Sequence, residues 1–204
     1  MIDGRVARRD TAVLLAVFAV LAAAVAAGWT TAIDRAATTT AIAGRTPFLS
    51  ALAVNFTALG SAPVVTLIAV LAAAYGLVVR RPRLVLALAC IPLAFVVNEA
   101  MKLLLRQARP IEAIILLPPS YGFPSGHAVA ASALFLTLAL VAAARSPHPG
   151  VRRLLVGAGI GIAVLVAWSR VYLGVHYLTD VVGGLLLGAA GAVAASRLAT
   201  RNEV

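Results

Sequence analysis

Six stretches of the chain, each near twenty residues long and almost free of charge, decide its solvent before anything else does. An α-helix rises about 1.5 Å per residue, so roughly 20 apolar residues cross a hydrocarbon core of about 30 Å. The stretches fall at 11–30, 62–79, 84–105, 127–144, 153–170 and 178–197. The fifth and sixth have uncharged cores at 154–169 and 181–196, and they reach spanning length by taking in Arg170 or Asp180 at one end. Composition agrees: with 62% hydrophobic and 12% charged residues, the 204-residue chain has too few polar side chains to coat a soluble globule. The expected architecture is all-α: one integral membrane domain over 1–204, a bundle of six transmembrane helices. Residues 31–61 carry Asp34, Arg35, Arg45 and Pro47 among apolar neighbours and are expected to form a short helix in the interface plane.

The first stretch follows Arg5, Arg8 and Arg9, but its apolar region is longer than that of a signal peptide and is read as a retained helix. The net charge of +10 would suit a nucleic-acid binder if it formed a continuous solvated face. Instead the basic residues sit in short clusters between apolar runs, so a nucleic-acid partner is not expected. Such clusters orient membrane proteins and attract anionic headgroups. If the N-terminus is cytoplasmic, that side carries Arg5, Arg8, Arg9, Arg80, Arg81, Arg83, Arg145, Arg152, Arg153, Arg197 and Arg201. The other side carries Arg35, Arg45, Lys102, Arg106, Arg109 and Arg170. Eleven against six places both termini in the cytoplasm and the loops 31–61, 106–126 and 171–177 outside. The single cysteine, Cys90, lies in an apolar run and reads as a packed helix residue.

Ionisable residues beside membrane helices are costly and usually functional, and three groups of them share the outward side. Lys102, Arg106 and Arg109 close the third stretch; spacings of four and three put them on one helical face, which Pro110 ends. Pro124-Ser125-Gly126-His127 opens the fourth, with Ser125 at the N-cap position of a helix whose first N–H groups form an anion site. Ser169-Arg170 and His176-x-x-x-Asp180 link the fifth to the sixth. If the last helix begins near His176, Asp180 shares its face and can hold one ring nitrogen, leaving the other as nucleophile or base. Each group alone also fits a plainer role: snorkelling cations, a capped helix, a structural histidine. Together they supply cations, two imidazoles, a carboxylate and a helix N-terminus, which suit a tetrahedral dianion. A metal phosphatase would need several carboxylates, and the outward side offers only Asp34, Glu112, Asp180 and Glu99. The rival reading is an anion or lipid-phosphate transporter or binding protein using the same basic cluster; the midplane of the other helices lacks the charges such a route commonly shows.

The combination Lys-x6-Arg-Pro at 102–110, Pro-Ser-Gly-His at 124–127 and Ser-Arg-x5-His-x3-Asp at 169–180 resembles the three signature motifs of the type 2 phosphatidic acid phosphatase family. The resemblance covers nearly 80 residues and departs at no motif position. It implies a lipid phosphatase in which His176 attacks phosphorus to form a phosphohistidine, Asp180 orients it, and His127 protonates the leaving oxygen. It further implies that Lys102, Arg109, Ser125, Gly126 and Arg170 hold the phosphate, that Ser169 supports the site, and that no metal or other cofactor takes part. The implied substrates are undecaprenyl diphosphate, phosphatidylglycerol phosphate, phosphatidate or diacylglycerol pyrophosphate. Glu99 lies outside the motif, three residues from Lys102, where an ion pair would support the cluster.

The charge count is testable by single-cysteine labelling in a Cys90→Ser background. Glu112→Cys is expected to react with an impermeant maleimide added outside the cell, and His148→Cys to stay protected until the membrane is opened.

Overall fold

The structure, a computed structural model, describes residues 4–116 and 119–200, with side chains from Arg8 to Ala199. All regular elements among them are helices: α1 (Gly4–Ala26), α2 (Thr31–Ala43), α3 (Pro47–Ala58), α4 (Ala62–Val78), α5 (Pro82–Leu88), α6 (Cys90–Leu105), α7 (Gly126–Arg145), α8 (Pro149–Tyr172) and α9 (Leu178–Thr200). Five spans are long and apolar enough to cross a membrane: Arg8–Ala26, Pro82–Leu105, Gly126–Arg145, Pro149–Tyr172 and Leu178–Ala199. The pair α3 and α4, bent by 46° at a short break, qualifies when taken together.

Local chemistry explains where these elements depart from the expected boundaries. The first helix ends at Ala26, short of the expected boundary at 30, because Gly28 turns left-handed (φ +74°). Gly28 N–H then donates to Val25 O and Trp29 N–H to Ala24 O, which satisfies the last carbonyls. The segment expected to hold one short helix forms two. α2, at 13 residues, is about 20 Å long and too short to span, while α3 leans directly into α4. The third span breaks at Ala89, three residues before Pro92, whose missing N–H leaves Leu88 O without its helical donor.

α7 is the central helix: 61% of its apolar stretch is buried, against 17% for α1. It packs most extensively on α9 and α8, while α1 covers the far face of α9. Its Ala-rich sequence lets backbones approach closely, and α9 meets it with Gly184 and Gly188. A Cβ on Gly188 would lie 2.5 Å from Val129 O and 2.7 Å from Ser132 Cβ. One on Gly184 would lie 2.7 Å from Ser125 O, so this contact also sets how near α9 comes to the start of α7.

Gly188→Ala is therefore expected to push α7 and α9 apart at a cost of about 1–3 kcal/mol, read as a lower unfolding midpoint in detergent. Gly157→Ala serves as control: nothing lies within 4 Å of its added Cβ, and its midpoint should hold or rise.

Candidate active site

At the close of α8 the chain turns through Gly174, left-handed at φ +71°, where a side chain would strike Glu112 O and the Arg45 guanidinium. This turn brings His176 back into the bundle, 2% exposed, in the loop before α9 and not on the helix itself. The expected pairing with Asp180 nevertheless holds. Asp180 Oδ2 lies 3.2 Å from His176 Nδ1 and accepts the Tyr177 N–H at 2.9 Å, so one carboxylate fixes both ring and loop. On the other ring edge, Arg109 Nη1 is 3.0 Å from Nε2. A guanidinium only donates, so Nε2 accepts and Nδ1 carries the proton that Asp180 receives. Burial first, then the charges of Arg109, Arg170, His127 and Lys102, hold the imidazole well below its ordinary pKa. The result is a neutral ring with its Nε2 lone pair directed at a cation.

The basic cluster reaches the site by a different route from the one its spacing suggests. α6 stops at Leu105, and Arg106 turns left-handed (φ +50°), so Lys102, Arg106 and Arg109 do not share a helical face. Arg106 is exposed and donates to Leu103 O. Arg109 enters from the loop, held by Ser120 O (2.8 Å), Ser120 Oγ (3.0 Å), Tyr121 O (3.2 Å) and Val175 O (2.9 Å). Burial lowers its pKa, with Asp180 and Glu99 opposing. Lys102 is buried and donates to Glu99 Oε1 at 2.8 Å, the ion pair expected from the sequence. The same oxygen accepts from Asn98 Nδ2 at 2.8 Å.

Ser125 occupies the N-cap position of α7 but makes no side-chain cap bond. Its backbone N–H donates to Asp180 O at 2.9 Å, joining the second and third groups, and its buried Oγ has no protein partner. At the next residue, a Cβ on Gly126 would lie 3.5 Å from Asn98 Nδ2 and 3.7 Å from Lys102 Nζ, so glycine keeps the helix start open beside the ammonium. His127 follows in the first turn, seated against Gly60, whose added Cβ would lie 2.8 Å from His127 O. Arg170, 4% exposed in the last turn of α8, donates from Nη1 to Thr57 Oγ1 at 2.7 Å and leaves Nε unpartnered. Ser169 is buried but its hydroxyl donates to Val166 O of its own helix at 2.6 Å, so it reaches no other site residue.

The structure thus gathers the three sequence groups, and it adds residues the sequence reading did not assign. Asn98 is fully buried with Oδ1 unpartnered; a lone amide inside an apolar run was its signal. Thr57 and Ser120 carried none. Asp34, noted only as an outward carboxylate, is 3% exposed and accepts Thr179 N–H (2.9 Å) and Thr179 Oγ–H (2.7 Å). From α2 it caps the N-terminus of α9 one residue before Asp180. Among the described residues no three His, Cys, Asp or Glu side chains cluster as a metal site requires.

Comparison with known proteins places this arrangement. The model of the PAP2 superfamily matches residues 58–203. Phosphatidylglycerophosphatase B of Bacillus subtilis is 32% identical over 174 residues, 84% of this chain and 85% of that protein. The undecaprenyl-diphosphatase of Sulfolobus acidocaldarius is 40% identical over 102 residues, 47% of this chain and 45% of its own. The crystal structure of a transmembrane PAP2-type phosphatidylglycerolphosphate phosphatase from Bacillus subtilis superposes with a TM-score of 0.84 at 28% identity. That match covers 91% of this chain and 94% of the other.

Because the folded ring of His176 has a depressed pKa, the unfolded chain binds more protons below about pH 6.5. The stability contributed by the neutral ring is thus complete above that pH and declines as pH falls towards the folded value. Nitrogen NMR of labelled histidine should show His176 as the Nδ1–H tautomer, with no titration between about pH 8 and 6. In Arg109→Ala, with a cation removed, the titration should move upward.

Proposed function

The chain belongs to the PAP2 superfamily, and on that premise we propose that it is a membrane lipid phosphatase working through a covalent phosphohistidine. The observation that carries the reading is the Nε2 of His176, deprotonated, oriented by Asp180 through the opposite nitrogen, and facing Arg109. Arg109, Arg170 and Lys102 neutralise the phosphoryl oxygens, and Ser125 Oγ–H, Arg170 Nε–H and the α7 N-terminus at Gly126 complete the cradle. His176 Nε2 attacks phosphorus, and the bond from phosphorus to the leaving oxygen breaks as His127 donates a proton to it. Water then attacks the phosphohistidine with His127 accepting its proton, which releases phosphate and frees the histidine for another turnover. Ser169 supports the site only by packing.

The names of two relatives, a phosphatidylglycerophosphatase and an undecaprenyl-diphosphatase, support a phosphomonoester or diphosphate on a lipid as the substrate class. The candidates are phosphatidylglycerol phosphate and undecaprenyl diphosphate, with phosphatidate and diacylglycerol pyrophosphate added by the motif resemblance. The cradle addresses the phosphoryl group and not the tail, in keeping with that breadth. The chain crosses the membrane six times, α3 and α4 counting as one bent span, with α2 as the interfacial helix. Both termini face the cytoplasm and the site opens at headgroup depth on the outer face of the plasma membrane, because the arginine count puts the three motifs outside. Charge neutralisation by arginine and lysine makes a metal unnecessary.

Purified protein is expected to release phosphate from lipid phosphates in EDTA, and vanadate, which adopts the five-coordinate geometry of the transition state, should compete with substrate. His176→Ala should fall to background. His127→Ala should lose about 10²- to 10⁴-fold, less on a diphosphate whose leaving group needs little protonation. More than a few per cent activity in a folded His176→Ala protein, or a magnesium requirement, would exclude the mechanism.

A further inference from the structure

At the end of the bundle away from His176, α7 and α8 part before the 146–148 turn and leave a groove of about 570 Å³. Its walls are mainly apolar, with Ala143 and Ala144 from α7 and Gly157 and Ile160 from α8, and its only charged lining residues are Arg152 and Arg153. Small residues make the space. A Cβ on Gly159 would lie 2.8 Å from Ala139 Cβ and 3.0 Å from Phe135 O, so glycine there allows the helix pair its close approach, whereas nothing lies within 4 Å of a Cβ added to Gly157. Glycine inside a helix is disfavoured relative to alanine, and at Gly157 no packing contact accounts for it.

The charge at this end is strongly one-sided. Arg8, Arg9, Arg80, Arg81, Arg83, Arg145, Arg152 and Arg153 lie at the same end of the spans, and among the described residues Asp10 is the one carboxylate there. The N-terminus of α8, without a side-chain cap, adds partial charge of the same sign. Arg170 is 17 residues beyond Arg153 on α8, about 25 Å along the axis, so the groove and the catalytic cluster sit at opposite ends of one helix.

We propose that this groove binds one anionic phospholipid of the leaflet opposite the catalytic site, its phosphate between Arg152 and Arg153 and an acyl chain along Ile160. The apolar walls require a lipid rather than free phosphate, since most of the groove offers an anion no donor. A second copy of the chain is disfavoured because two-fold pairing on this face would set two Arg152–Arg153 pairs against each other. α7 and α8 carry His127 and Arg170 at their other ends, so a lipid wedged between them steadies the pair that frames the site. The proposal stands apart from the phosphatase reading, because binding is measured without turnover.

The test uses delipidated full-length protein in detergent with phosphatidylglycerol, a phosphodiester, against phosphatidylcholine and inorganic phosphate as probes. Native mass spectrometry should retain one phosphatidylglycerol per chain, and the unfolding midpoint should rise by several degrees with this lipid alone. Arg152→Gln/Arg153→Gln should weaken binding about thirtyfold, at about fivefold per arginine. Gly157→Leu should fill the groove and abolish the shift, with its lipid-free midpoint unchanged. Equal binding of phosphatidylcholine, an inorganic phosphate effect of the same size, or a shift that survives both variants would overturn the proposal. So would a dimer that Gly157→Leu dissociates while phosphatidylglycerol has no effect, which would assign the groove to a second copy.

Discussion

Positive charge gathered at the end of an apolar bundle must be matched by oxygen, and nearly every feature around His176 follows from how that matching is done. Arg109 is satisfied by main-chain carbonyls of Ser120, Tyr121 and Val175, which ties the loop after α6 to the loop before α9. Lys102 takes Glu99, and Arg170 takes Thr57 of α3. These partners hold the cations in place without neutralising them all, since only Lys102 is given a carboxylate. Ser125 Oγ, Asn98 Oδ1, Arg170 Nε and Asp180 Oδ1 remain buried and unpartnered. An unsatisfied buried polar group costs about 1–3 kcal/mol, so the fold retains here a cost that the proposed phosphate would relieve at the donors.

The same economy of partners explains why the segment between the first two spans matters. Asp34 on α2 caps α9 through Thr179, Arg45 donates to Tyr172 O at the end of α8, and Thr46 N–H donates to the Tyr172 hydroxyl. Thr57 on α3 reaches Arg170, and Gly60 at the bend seats His127. A stretch of about thirty residues outside the motifs therefore touches the framework of all three catalytic-side helices, α7, α8 and α9. Movement of α2 would disturb Thr179, the residue before Asp180, and movement of α3 would disturb Arg170, because both contacts are direct hydrogen bonds.

Close packing sets the scale on which this can work. Gly184 and Gly188 let α9 lie against α7 closely enough for Asp180 O to receive the Ser125 N–H, which joins two groups 55 residues apart in the chain. A helix pair held a few ångströms wider by ordinary side chains would break that bond and separate Ser125 and Gly126 from His176, the proposed cradle from the proposed nucleophile. Small residues in a lipid-soluble bundle thus act on the chemistry as well as on the fold.

The amino-acid sequence by itself determined that the chain is helical and lipid-embedded, and which residue types converge: apolar length, the arginine count and three motifs carry that much, because helix length and the cost of burying charge are local properties. It also placed the Glu99–Lys102 pair and the Asp180–His176 contact, both set by short spacing. Only the tertiary structure decided that Arg109 acts from a loop, that His176 precedes its helix, and that Arg106 stays outside. Those outcomes turn on left-handed residues, Gly174 and Arg106, whose conformation depends on what the chain meets next. Asp34 and Thr57 were hidden for the same reason: each is defined by a partner on another helix, which is not encoded in the residues beside it.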